Sequence, residues 1–484
     1  MEKYLYGAAV QGIQNFIFQT NELQDIVGAS ELVEQICTTD FEEFGVGGES
    51  VVNAAGNIKY IFEDKETCAK AVLEFPKKVM EKAPGITISQ AVVKMDGEFS
   101  DFEKAVNELE RKLRIQRNRP MPSLTHGLMG IERNRKTGLP AVGLKNGEWL
   151  DDATFKKKEA VEAAKNRLCE KAFGIKNIKD RRFPHNIEEM TISNDWIAII
   201  HADGNGLGKI IQKIGDDKDK LKKFSSDLDK ATEKAAQEAF EYIDGRFGVK
   251  NEKIIPIRPV VLGGDDFTMI CRADFAVEYT TAFLQAFENN TKAMGHSLTS
   301  CAGIAFIKSS FPFHYGVKLA ESLCEAAKKD AKSEEMSKYG LPPSCLMFHK
   351  VQDSFVTDYN AIVDRELKAV GNYTWKFGPY YLNENIEGRW CISDLINKVR
   401  ELDGEEGNAV KSSIRQWLSA MHSDKGYADQ LLKRAKQIAK GKAKDTLEDA
   451  VDSNRAVKIK NVPYTACPAY DILSLHSVMY QVTK

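Results

Sequence analysis

Hydrophobic positions change their period several times along the first 118 residues. Lys3–Val10 reads as a strand. QGIQNFIF starts a helix, and GASELVEQICTTDFEEFG carries the helical period on to a glycine stop. Two short runs, Ser50–Asn53 and Asn57–Glu63, flank a small-residue turn and predict a hairpin. A lysine-rich helical pattern over Asp64–Lys82, a β-branched strand over Ile86–Met95 and a charged helix over Asp101–Gln116 complete the stretch. The order β-α-β-β-α-β, with one further helix, is that of a ferredoxin-like unit.

The same order returns after a segment rich in charge, Pro and Gly whose one clear helix lies near Thr154–Phe173. Asp195–Ala202 predicts a strand, Leu207–Asp244 is mainly helical, and Pro256–Leu262 with Phe267–Cys271 frame a tight turn. A helix over Ala273–Met294, a strand over Ser297–Ile307 and a helix over His314–Lys332 follow. Helical patterns at Ile392–Leu402, Val410–His422 and Tyr427–Ile438 fill the rest. The expected fold class is therefore α+β, with two ferredoxin-like domains and helical connecting and C-terminal domains. Boundaries are expected at 1–118, 119–193, 194–351 and 352–484.

The recurrence extends to residues. VVNAAGNIKYIF lies without gaps against VVLGGDDFTMIC, which sets Ala54-Ala55-Gly56-Asn57 opposite Gly263-Gly264-Asp265-Asp266. LYGAAVQGIQNFI lies against AIIHADGNGLGKI, which sets Val10 opposite Asp203. Two copies of one fold are expected, with acidic residues at these places only in the second.

Those acids carry the candidate chemistry. Asp203 ends a buried strand in HADGNGLGK, where Gly204, Asn205, Gly206 and Gly208 suit a sharp turn whose free amides receive phosphate. Asp265 and Asp266 follow Gly263 and Gly264 at a hairpin tip, and in a ferredoxin-like sheet that hairpin lies beside the first strand. A Gly-Gly-Asp-Asp turn alone is an ordinary hairpin, and the GxG alone is a glycine loop. Together they place three carboxylates close enough to need a hard cation, and oxygen ligands suit Mg²⁺ or Mn²⁺. A pair of such ions serves phosphoryl transfer. Lys328 and Lys332 stand four apart on the helix AESLCEAAKKDAKS and could meet a triphosphate, although a solvated lysine face has the same spacing. His201, two residues before Asp203, could face the site or be a satisfied strand-end histidine.

Composition narrows the setting. The 68 Lys and Arg nearly cancel 70 Asp and Glu, leaving −2, so any anion binding is local. The 484 residues suggest about three domains. No apolar run reaches the roughly 18 residues of a membrane helix and no signal-peptide pattern opens the chain, which predicts a cytosolic protein without membrane attachment. Nine scattered cysteines without a CxxC pair predict buried free thiols rather than disulfides or structural zinc. Basic runs at Glu110–Arg119, Arg133–Lys136, Lys179–Arg182 and in KRAKQIAKGKAK read as solvated faces or as contacts with RNA or subunits.

GIQNFIF, IVGASELVEQI, RKTGLPA, HADGNGLGK, LGGDDF, LTSCAGIAFIK, AESLCEAAKKDAK and FGPYYL, in this order, resemble the palm-containing large subunit of type III CRISPR effector complexes. The resemblance implies two palms packed as a pseudo-dimer and a polymerase/cyclase making cyclic oligoadenylate from ATP. It implies metal ligation by Asp203, Asp265 and Asp266, while the Ala54–Asn57 palm binds the acceptor nucleotide without metal. Other effector subunits with guide and target RNA would be its partners. The chain departs from the family in lacking a His-Asp pair and a cysteine zinc site. Some relatives join ATP to S-adenosylmethionine instead. Two further readings share these features: a cyclase of the diguanylate type, and a non-catalytic scaffold.

Overall fold

The computed structural model describes residues 2–37, 39–45, 48–54, 56–119, 130–163, 167–175, 182–191, 196–214, 217–353 and 358–479. The chain forms two compact units. One comprises Met1–Ile187, Gly206–Lys234 and Pro259–Phe267, and the other Glu188–Asn205, Ala235–Arg258 and Thr268–Lys484.

The N-terminal part runs β1 (Lys3–Gln11), α1 (Ile13–Ile17), α2 (Leu23–Cys37), α3 (Thr39–Glu42), β2 (Gly48–Ala54), β3 (Asn57–Phe62), α4 (Lys65–Lys82), β4 (Thr87–Met95) and α5 (Phe102–Arg117). The sheet order is β2-β3-β1-β4, with β1 antiparallel to both neighbours. That central place explains why six successive residues of β1 are buried. One face packs Leu5 and Val93 against Ala105, Leu109 and Leu113 of α5. The other stacks Tyr6 on Phe41, which meets Phe75 of α4 edge-on. Asp64 and Asp101 cap α4 and α5 by accepting the N–H of Thr67 and Glu103.

The connecting stretch holds α6 (Asp152–Ala163) and α7 (Arg167–Phe173), and before them a hairpin, β5 (Ala141–Lys145) and β6 (Glu148–Asp151). The connecting stretch, expected to be helical, thus also carries a hairpin. Asn146 and Gly147 both have positive φ, 53° and 81°, and an Asn-Gly pair of that kind closes a two-residue hairpin. Helix α6 lies against α2 at Gly28, where a β-carbon would come 1.9 Å from the Lys157 carbonyl oxygen. The fully buried Lys157 ammonium donates to the Phe16 carbonyl at 2.5 Å, and burial pushes its pKa down to about 8.

The second ferredoxin-like part runs β7 (Trp196–Asn205), α8 (Leu207–Ile214), α9 (Lys218–Phe247), β8 (Ile257–Gly263), β9 (Asp266–Arg272), α10 (Ala276–Ala293), β10 (Thr299–Lys308), α11 (Phe313–Ala331) and β11 (Cys345–Lys350). Then come α12 (Tyr359–Arg365), β12 (Lys368–Ala369), β13 (Tyr373–Thr374), β14 (Tyr380–Tyr381), α13 (Ile392–Glu401), α14 (Glu405–Ala420), α15 (Lys425–Ile438), α16 (Gly441–Asp452), β15 (Arg455–Ile459), β16 (Val462–Ala466) and α17 (Ala469–Met479). The sheet order β14-β11-β10-β7-β9-β8 contains β10-β7-β9-β8, the same arrangement as β4-β1-β3-β2. The fold class is the expected one. The C-terminal part, expected to be helical, also carries a four-stranded sheet, β12-β13-β16-β15, whose strands of two to five residues are too short to show a period. The basic run after Leu432 is divided between α15 and α16, and its Lys436 pairs with Asp452 at 2.6 Å. Of the other basic runs, Lys136 pairs with Glu22 and Glu148, and Lys179 to Arg181 lie outside the described residues. Cys68, Cys169, Cys271, Cys301, Cys324, Cys345, Cys391 and Cys467 are buried thiols outside any disulfide.

Helix α11 sits on β10 at Gly303, where a β-carbon would meet the Ala320 carbonyl oxygen at 2.0 Å and the Cys324 nitrogen at 2.5 Å. Both are backbone atoms of a helix held along its length, so the contact cannot be relieved by a rotamer. Gly303→Ala is expected to destabilise the fold by ~1–3 kcal/mol, read as a lower thermal midpoint by circular dichroism; an unchanged midpoint would contradict this close packing.

Candidate metal and nucleotide site

Strand β7 alternates near its end, with His201 and Asp203 half-exposed and Ala202 and Gly204 buried, so both functional side chains share one face. Asp203 pairs with Cys301 of β10, and its carbonyl oxygen accepts the Ser300 hydroxyl at 3.1 Å. Lys328 reaches across from α11. Its ammonium donates to the Gly204 carbonyl at 2.9 Å and makes an ion pair with the Asp203 carboxylate. One of the negative charges thus has a fixed counter-charge.

The other two acids come from the β8–β9 hairpin. Gly263 ends β8, Gly264 turns with φ +62°, and Asp266 begins β9. The left-handed Gly264 disfavours any residue with a β-carbon. Helix α9 holds this peptide from both sides: the Asp229 carboxylate accepts the Gly264 N–H at 2.6 Å, and the Thr232 hydroxyl donates to the Gly264 carbonyl at 2.6 Å. Burial raises the Asp229 pKa against the lowering effect of that N–H and of Lys171. Beneath the hairpin, Ser30 of the Gly-Ala-Ser stretch in α2 donates to the Val260 carbonyl.

Asp203, Asp265 and Asp266 each offer a carboxylate oxygen within 4.8 Å of the others, the only such grouping of metal-ligating side chains among the described residues. Asp203 and Asp265 are half-exposed and Asp266 exposed, so the group is open to solvent on one side. Three hard anionic oxygens at this spacing fit a divalent cation of the Mg²⁺ type. Lys328 offsets part of their charge.

The remaining expected residues are placed as follows. Asn205 is buried, and its amide donates to Thr299 Oγ1 and Cys301 Sγ, both at 3.2 Å, which makes it a strut of the sheet. Gly206, with φ +84°, makes the turn into α8, and Gly208 lies in the first turn of that helix; a β-carbon on either would meet nothing within 4 Å. Lys332 is the exposed C-cap of α11, which ends at Ala331, and its N–H still donates to the Lys328 carbonyl at 3.0 Å. His201 contacts Thr268 Oγ1 at 3.0 Å, and burial pushes its pKa down to about 4, so it is neutral at pH 7. In the first palm, the Val10 N–H donates to the Gly56 carbonyl at 2.7 Å, so the end of β1 and the β2–β3 turn meet there without any acid. Ala55 lies outside the described residues. Asp229, Thr232 and Ser30 were not read from the sequence. Asp229 and Thr232 share a face of α9 by their spacing, but their partner is a backbone group more than 30 residues away, which leaves no local signal.

Comparison with known proteins bears on the fold. Residues 196–337 match the family described as Cas10/Cmr2, second palm domain. The fold over the full chain is similar to a solved Csm1–Csm4 cassette in complex with cA4, with TM-score 0.60 and 13% identity, covering 100% of this chain and 70% of that one. The cassettes in complex with pppApA (TM-score 0.60, 14% identity, 100% and 70% covered) and with AMPPNP (TM-score 0.58, 13% identity, 99% and 69% covered) are similar too. Residues 196–337 thus match the second palm domain of Cas10/Cmr2, and the fold of the chain is like that of the solved Csm1–Csm4 cassettes. No curated protein matches it. Among the described residues, no helix is long and apolar enough to cross a membrane.

Two outcomes are expected. Mn²⁺ or Mg²⁺ should raise the thermal midpoint of the wild type, by the equivalent of ~1.4 kcal/mol at ten times its Kd, and leave an Asp203→Asn/Asp265→Asn/Asp266→Asn variant unmoved. Equal shifts would place the cation elsewhere. Asp229→Ala should weaken that metal response about tenfold, because the Gly264 turn loses its acceptor, whereas Asp229→Asn retains a carbonyl oxygen and most of the response. Identical titrations for the two variants would remove Asp229 from the positioning of the hairpin.

Proposed function

We propose that the chain is a metal-dependent nucleotidyltransferase that joins ATP into cyclic oligoadenylate or a related adenylated second messenger. The observation that carries this reading is the convergence of Asp203, Asp265 and Asp266 at one sheet end, where oxygen ligands alone suit Mg²⁺ or Mn²⁺. The palm family of residues 196–337 and the likeness to cassettes bound to cA4, pppApA and AMPPNP support it.

In this reading the three carboxylates hold two divalent ions. Those ions, when bound, acidify an attacking ribose hydroxyl and neutralise charge on the phosphates. A bond forms between the ribose oxygen and the α-phosphorus, the bond from that phosphorus to the pyrophosphate oxygen breaks, and pyrophosphate leaves. Gly263 and Gly264 keep the hairpin free of side chains beside the phosphates, and Gly206 and Gly208 do the same at the start of α8. Lys328 fixes Asp203 and the Gly204 carbonyl and presents positive charge beside the leaving group. His201, neutral and bonded to Thr268, supports the strand without exchanging protons. The first palm, acid-free at Val10 and Gly56, would hold the acceptor ATP without metal. Other effector subunits, with guide and target RNA, are the proposed partners, in a cytoplasmic setting.

The test is incubation of the chain with labelled ATP and Mn²⁺ or Mg²⁺, with and without S-adenosylmethionine, alone and with the guide complex and target RNA. Wild type should release pyrophosphate and yield oligoadenylate by mass, with at least a ~10²-fold loss in Asp265→Ala/Asp266→Ala. A product that requires S-adenosylmethionine would redirect the acceptor. No product in any arm would overturn the enzymatic reading in favour of a scaffold.

A further inference from the structure

The β5–β6 hairpin of the connecting stretch is amphipathic in the reverse of the usual sense. Along β5, Ala141, Gly143 and Lys145 are half-buried while Val142 and Leu144 are exposed; along β6, Trp149 is exposed and Leu150 buried. The covered face lies on α6, where Gly143 sits against the Phe155 ring and Leu150 is 2% exposed. The solvent face of such a sheet is ordinarily polar. Here it carries Val142, Leu144 and Trp149, which are 62%, 57% and 45% exposed. Leu144 and Trp149 are directly opposed across the ladder, so their side chains are neighbours. Among the described residues, no other helix or hairpin exposes three large apolar side chains.

That face is held in place. A two-stranded hairpin alone is marginal in water, but this one is tied down on both sides. Asp151, which ends β6, accepts from the Asn134 amide at 2.7 Å and from the Thr137 and Thr154 hydroxyls at 2.8 Å, which fixes the loop before β5 to the start of α6. Lys136 pairs with Glu148 of β6 and with Glu22, just before α2. The apolar face is therefore a preformed surface, and taking it out of water is favourable.

Its size and its edge decide what would cover it. Three side chains exposed to this extent offer on the order of 300 Å², the size of a functional patch on a monomer. A stable interface between globular chains needs roughly 800 Å² per partner, which this face does not reach. The sheet has only two strands, so the backbone of Val142–Leu144 has no second neighbour among the described residues. An extended segment added at that edge gains main-chain hydrogen bonds and lays every second side chain on the apolar face. Arg133, which bridges to Pro140, and Arg135 are exposed where β5 begins, and among the described residues neither has a carboxylate within ion-pair distance. With Glu132 beside them, two cations face one acid, which suits an acidic residue at that end of the segment.

We propose that Val142, Leu144 and Trp149, with the free edge of β5, dock a short extended segment of another protein chain. The segment carries aliphatic or aromatic residues at alternate positions and an acidic residue where it meets Arg133 and Arg135. The site shares no residue with the acid cluster and does not depend on the chain being a nucleotidyltransferase.

The test pans the full chain against a display library of random twelve-residue peptides, beside Leu144→Thr/Trp149→Thr, which keeps strand-forming residues at two exposed positions, and Arg135→Glu. Circular dichroism checks that both variants fold. Wild type is expected to enrich proline-free peptides with apolar residues at alternate positions and an acidic end. A resynthesised peptide should bind the double variant at least about tenfold more weakly, and Arg135→Glu should lose the preference for the acidic end. N-methylation of alternate peptide amides, which removes edge hydrogen bonds and spares the side chains, should weaken binding by a similar factor. Equal binding to the folded double variant, a consensus without alternation, or indifference to N-methylation at every position would overturn strand docking. A wild-type dimer by sedimentation that the double variant abolishes would also overturn it, and would make the face a contact between copies of this chain.

Discussion

The arrangement at the end of β7 depends on holding like charges together. Asp203, Asp265 and Asp266 bring oxygens within 4.8 Å of one another, and left to itself the hairpin would relax away from Asp203. The fold opposes this in two ways. Lys328 fixes one carboxylate from α11, and α9 clamps the Gly264 peptide through Asp229 and Thr232. The clamp acts on backbone, so it sets the turn without consuming any oxygen that a metal would need. Gly303 matters for the same reason: without close approach of α11 to β10, Lys328 could not reach β7.

Comparison of the two palms separates scaffold from chemistry. Both sheets place their first strand between the fourth and third, because the β-α-β-β-α-β connection buries that strand on both faces. At the place where the second has Asp203 beside Asp265 and Asp266, the first has Val10 bonded through its backbone to Gly56. The strand order is the same with the acids absent. Such a pair lets one sheet serve as architecture while the other carries charge.

Charge is also sorted along the second sheet. Carboxylates gather at the end of β7 and lysines at its beginning, with the six residues 197–202 between them. Lys136 and Lys436, from the basic runs, are held in local ion pairs, and Lys308 and Lys350 meet over Trp196 through β10 and β11.

Much of this was legible in sequence because strand and helix periods report burial locally. The alternation of elements gave the two ferredoxin-like units, and the gapless match of VVNAAGNIKYIF with VVLGGDDFTMIC located the hairpin that carries Asp265 and Asp266. The β5–β6 hairpin was legible too, in Asn146-Gly147, and was overlooked among neighbouring charges. The four-stranded C-terminal sheet was not, since two-residue strands have no period. Tertiary structure alone decided how side chains are used. It turned Asn205 into the sheet and left Lys332 past the end of its helix. It recruited Asp229 and Thr232 through a peptide group distant in the chain. Composition and spacing fix which groups a chain possesses; the packing of helices on sheets fixes which of them meet, because contacts between distant segments leave no periodic trace in either segment.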